Sequence, residues 1–79
     1  MTARMYGGPN GPRTIRLYNV QVDAEPEIVQ VPATHAVDAA RAVADRREFG
    51  ETIYEGATAF GRWTIATDDE HNVQAWPVE

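Results

Sequence analysis

An α+β fold, with an antiparallel sheet of four or five strands and one helix packed on one face, is what this sequence predicts. Three observations lead there. Short runs rich in β-branched and aromatic residues recur between turn signals at 13–23, 28–31, 62–67 and 72–78. Only one stretch, Thr34–Glu48, repeats its apolar residues at spacings of three and four. And 79 residues leave room for a single core, near the lower limit of independent stability. The expected order is β-β-α-(β)-β-β, in one domain over 13–79 preceded by a flexible tail over 1–12.

The tail is turn-rich: Gly7-Gly8-Pro9-Asn10-Gly11-Pro12 offers little to bury, although Tyr6 could pin it to the body. Arg13–Asp23 (RTIRLYNVQVD) reads as a strand whose alternation changes phase. Ile15 and Leu17 share one face, Val20 and Val22 the other, so a bulge near Tyr18-Asn19 is expected. Asp23-Ala24-Glu25-Pro26-Glu27 is a turn, and Ile28–Val31 returns as the second strand of a hairpin, ended by Pro32. Thr34 is the expected N-cap of the helix. Its apolar stripe is Ala36, Val37, Ala40, Val43, Ala44 and the stem of Arg47, and Gly50 is the expected terminator.

Past the helix, Glu51–Glu55 (ETIYE) is expected as a short strand or as a loop, and Gly56–Gly61 as a connection. Arg62–Thr67 is a strand with Trp63 and Ile65 on one face. Asn72–Val78 closes the sheet with Val73 and Ala75 on one face and Trp76 and Val78 on the other, Pro77 marking an edge.

Composition excludes several chemistries. The chain has no cysteine, serine or lysine, which removes disulfides, thiolate ligands, serine and cysteine nucleophiles, Schiff-base lysines and a P-loop lysine. No apolar run is long enough to span a membrane, and the N-terminus lacks a signal-peptide profile, so a cytoplasmic protein is expected. The net charge is −5, and it is unevenly spread: from Asp23 onward twelve carboxylates face four arginines. Such a field repels nucleic acid and attracts basic surfaces, and it also serves plain solubility.

The candidate functional residues are two acidic turns. Asp23, Glu25 and Glu27 lie in the first hairpin turn; Asp68, Asp69 and Glu70, followed by His71, lie in the last. As a metal loop the second fails, because consecutive carboxylates diverge and no glycine or distant glutamate follows them. His35 and His71 lack ligand-pair spacing, so no metal and no cofactor is expected. An acid/base pair needs a pocket that a chain of this size hardly provides, and His35 with Asp38 one turn on reads as local capping. Arg4, Arg13 and Arg16 with Tyr18, Phe60 or Trp63 make too weak a footprint for direct nucleic-acid binding. What remains is charge. If ETIYE is a strand, both turns fall at one end and form a single acidic rim, joined there by Arg46 and Arg47, which partly neutralise it. If it is a loop, the turns lie at opposite ends. Charges on a rim steer association and select partners, and Trp76 or Tyr54 is a candidate anchor beside them, with a core position the alternative for Trp76.

A short, acidic, single-domain chain of this layout, with acidic hairpin tips and an Ala/Arg/Asp-rich helix over Thr34–Glu48, resembles the small phage-encoded anti-CRISPR proteins that inhibit type I systems. The resemblance covers the whole chain in kind and rests on no specific motif. It implies a non-enzymatic inhibitor that binds a multi-subunit surveillance complex (Cascade) and covers the basic residues that recognise the PAM or grip target DNA. Asp23, Glu25, Glu27, Asp68, Asp69 and Glu70 would then pair with arginines and lysines in place of phosphates. A monomer is expected. The alternative function is a small structural or adaptor module that self-associates or pairs through an open edge strand at Asn72–Val78.

Overall fold

The structure, a computed structural model, describes residues 14–79; the expected tail over 1–12 and the contact of Tyr6 lie outside them. Its elements are β1 (Arg16–Val22), β2 (Ile28–Ala33), α1 (Ala36–Arg46), β3 (Thr52–Ala57), β4 (Trp63–Thr67) and β5 (Asn72–Pro77), with one 3-10 turn at Ala59–Gly61. The five strands form one antiparallel sheet in the order β2-β1-β5-β4-β3, and α1 packs on one face. ETIYE is therefore a strand from Thr52 on, and β3 runs past it through Gly56 and Ala57, which were expected in the connection.

β1 alternates without interruption. Tyr18, Val20 and Val22 point to the helix and are buried, and pairing with β2 runs unbroken from Arg16↔Ala33 to Gln21↔Ile28. The expected bulge is absent because Tyr18 takes the core position, leaving Ile15 and Leu17 exposed. The irregularity sits instead in β3, where the register against β4 shifts between Thr52 and Tyr54. β2 does not stop at Pro32. It continues to Ala33, and it can do so because it is an edge strand, where a missing donor is tolerated.

The helix begins one residue later than expected. His35, not Thr34, is the N-cap: its Nδ1 accepts the Val37 N–H at 3.0 Å. The Thr34 hydroxyl donates to Asp38 at 3.4 Å. At the other end the chain turns at Glu48 (φ 60°), not Gly50. Glu48 N–H donates to the Asp45 carbonyl and Phe49 N–H to the Ala44 carbonyl, each at 3.0 Å, the paired bonds of a Schellman motif.

The helix stripe packs Ala36, Ala39, Ala40, Val43 and Ala44 against Val20, Val31, Ile65, Val73 and Ala75, and Val37 is buried as well. Alanines at the contact let the helix sit close to the sheet, and Val20, Ile65 and Val73 are the largest fully buried side chains. β5, expected at an edge, is the central strand between β1 and β4. Pro77 is accommodated at its last position, opposite Tyr18. Trp76 lies outside the core on the face away from α1, with the Arg62 guanidinium 4.0 Å from its ring centroid.

Candidate functional site

The pairing Val22↔Val73 between β1 and β5 places the turn that leaves β1 beside the turn that enters β5. Both acidic turns thus lie at one end of the sheet, with the start of β3 (Thr52↔Thr67) and the end of α1. The rim expected for a five-strand layout is present.

Asp23 joins the turns. It leaves β1 in a left-handed conformation (φ 50°), which aspartate tolerates better than most residues. Its Oδ1 accepts the Asn72 N–H at 2.8 Å, and its Oδ2 lies 2.8 Å from His71 Nδ1. The Asn72 N–H and then His71 hold the Asp23 carboxyl below the usual carboxylate range. The His71 ring stacks on Phe49, centroids 3.8 Å apart and planes 12° from parallel. The Arg47 guanidinium lies 5.3 Å from the Phe49 centroid and grips Glu25 with two hydrogen bonds of 3.0 and 3.3 Å. That grip lowers the Glu25 pKa and raises that of Arg47. Glu25, Arg47, Phe49, His71 and Asp23 therefore form a continuous strap from the first turn, across the segment after α1, to the last.

The Thr67–His71 loop is a three-residue hairpin connection. Glu70 N–H donates to the Thr67 carbonyl at 3.0 Å, Thr67 N–H to the His71 carbonyl at 2.9 Å, and Glu70 is left-handed (φ 69°). The buried Thr67 hydroxyl donates to Asp69, which keeps the Asp69 carboxyl low, aided by the Gly50 N–H. Thr67 also accepts the His71 N–H at 3.1 Å. Gly50 lets the Asp68 carboxylate lie against the backbone there: a Cβ at Gly50 would overlap Asp68 Oδ1 and push that side chain aside.

Of the six carboxylates singled out by sequence, Asp23, Glu25 and Asp69 are engaged in holding the turns. The side chains of Glu27, Asp68 and Glu70 are exposed, and their carboxylates make no hydrogen bond or ion pair among the described residues. Glu48 and Glu51, exposed and close in sequence to the helix end and the start of β3, join the same end and were missed. The antiparallel pairing of β3 with β4 was the signal for Glu51, since it sets the start of β3 beside Asp68. Tyr54 and Trp76, the candidate anchors, are on the outer sheet face, Tyr54 exposed and Trp76 half-buried under Arg62.

Among the described residues no group of three or more histidines and carboxylates is placed to hold a metal ion. Asp23 can orient His71 as a base, but His71 lines neither the cleft between the first hairpin and α1 nor the one beside Trp76. His35 is occupied as a cap and meets Trp63 edge-on at 4.9 Å. No helix of the described residues is long and apolar enough to cross a membrane. No protein-family model, no curated protein and no solved structure matches this chain.

Proposed function

We propose that the chain is a non-enzymatic binding protein whose acidic end engages the basic surface of a nucleic-acid-binding protein and keeps nucleic acid off it. The observation that carries this is the convergence of both acidic turns on one end, held by the Asp23–His71 and Glu25–Arg47 contacts, with Glu27, Asp68 and Glu70 left unpaired beside them. A strapped rim presents its charges without ordering them on binding, which is where affinity is otherwise lost. In keeping with the resemblance to type I anti-CRISPR proteins, the partner is the DNA-recognition surface of a CRISPR surveillance complex, where arginines and lysines meet phosphate.

The test is a pull-down and a DNA-binding competition with such a complex, comparing two charge-reversed pairs. Asp68→Lys with Glu70→Lys should abolish inhibition while thermal stability stays near wild type. Full inhibition by that pair would sink the proposal. Asp69→Lys with Asp23→Lys should fail differently, by loosening the turns, and so shows the separation of free from structural carboxylates. Pairing through an open edge at Asn72–Val78, the alternative suggested by sequence, is blocked because β5 (Asn72–Pro77) has neighbours on both sides.

A further inference from the structure

Two features at opposite ends of the molecule each lack a counterpart. At the end away from the acidic rim, the β3–β4 connection presents Phe60, 99% exposed, the most exposed large apolar side chain described. Phe60 (φ 64°, ψ 35°) and Gly61 (φ 74°) are consecutive left-handed residues, the arrangement at the centre of a type I′ turn. Asparagine, aspartate or glycine suits the first of those positions; a phenylalanine is strained there and gains no burial in return. Two residues on, Arg62 stacks on Trp76 and donates to Gln74, with no carboxylate partner among the described residues.

At the acidic end, a small open cleft of about 80 Å³ lies between the first hairpin and the last turn of α1. Val20, Val22, Val29 and Val43 line its floor; Glu25, Glu27, Arg46 and Arg47 stand at its rim. A closed cavity of about 150 Å³ takes a whole benzene. A cleft about half that size, open on one side, admits the edge of a phenyl ring and leaves its face to the rim guanidinium groups. Glu27 makes no contact ion pair among the described residues, although its charge is felt by Arg47 across the rim.

We propose that the chain self-associates head to tail, Phe60 of one copy entering the valine-floored cleft of the next while Arg62 meets Glu27. The match of ring to apolar floor and of unpaired cation to unpaired carboxylate favours a second copy over any other occupant. Because plug and cleft lie on different ends, the contact is heterologous: it extends into chains and does not close as a two-fold dimer. Glu27 belongs to both surfaces, so a basic partner and a second copy compete for the acidic end.

Light scattering or sedimentation of the full chain from micromolar to millimolar concentration tests this. The average mass of the wild type should rise with concentration. Phe60→Ala keeps the cleft and Val29→Arg keeps the plug; each alone should stay monomeric. Mixed in equal amounts, they should form a dimer and nothing larger, since one sound half-contact survives on each. Glu27→Lys, at an exposed position, should weaken association on the order of fivefold, and so covers the case of a Val29→Arg chain that does not fold. A wild type that stays monomeric to millimolar, a Phe60→Ala chain that still associates, or a mixture that stays monomeric or grows past the dimer would each overturn the proposal. A monomeric wild type that still captures the basic partner overturns self-association alone. Asp68→Lys with Glu70→Lys should lose the partner and keep the mass increase.

Discussion

Replacing Asp23 by asparagine, glycine and alanine separates three contributions that meet at one residue. Its carboxylate accepts the Asn72 N–H, pairs with His71, and belongs to a residue held at φ 50°. Both side chains of the Asp23–His71 pair are 35% exposed, so each bond is taken at the low end, about 1 kcal/mol. Alanine loses both bonds and adds a left-handed penalty of about 1 kcal/mol, for a total near 3 kcal/mol. Glycine loses both bonds without that penalty, for about 2 kcal/mol. Asparagine keeps an acceptor for Asn72 and tolerates the backbone, so its cost stays below about 1 kcal/mol. Urea unfolding measures these differences, and alanine should lower the melting temperature by about 12–24 °C for a domain of this size. If alanine matched wild type, the strap would not be holding the two turns together; if asparagine were as damaging as alanine, the Asn72 bond and the left-handed backbone would add nothing to the His71 contact.

Four further outcomes are expected. Asp23, Glu25 and Asp69 have depressed pKa values in the fold, so their contribution is present above the unfolded values near 4 and is lost as pH falls through the lower folded ones; acid unfolding followed by circular dichroism should begin below about pH 4. Glu48→Gly relieves the left-handed residue of the Schellman motif and should raise stability by about 1 kcal/mol in a thermal melt, unlike Glu51→Gly at the start of β3. Ile65→Ala empties a fully buried position and should cost about 2–5 kcal/mol in urea unfolding. Gly50→Ala displaces the Asp68 carboxylate, so it should weaken partner binding with little loss of stability, and an unchanged affinity would show that Asp68 is not at the contact.

Periodicity made the helix and the four plainer strands readable, because a one-sided core writes its spacing into the chain. It also decided the acidic end: once Thr52–Ala57 is a strand, antiparallel counting brings Asp23 and Asp68 together. What periodicity could not carry was choice among equivalents. Ile15, Leu17 and Tyr18 are all plausible core residues, and only competition for the space under α1 selects Tyr18. Thr34 and His35 both offer a capping acceptor, and local backbone geometry chose the histidine. Strand order is a long-range property, so Pro77 suggested an edge for what is the central strand. The division of the rim into engaged and free carboxylates depends on Thr67, Asn72 and Arg47 reaching particular oxygens, a matter of ångströms that spacing does not record.

The central place of β5 has a consequence for how the chain comes off the ribosome. Before residues 72–77 emerge, β1 with β2 and β3 with β4 are two hairpins with no shared edge, and α1 has half a floor. Isolated hairpins are marginal in water, so a nascent chain stopped at His71 has no cooperative unit to protect it from proteases. The whole sheet locks in one late event, when the last strand slides between its neighbours. Released chains that end at His71 and chains that carry the whole of Asn72–Pro77 should therefore differ sharply in protease resistance.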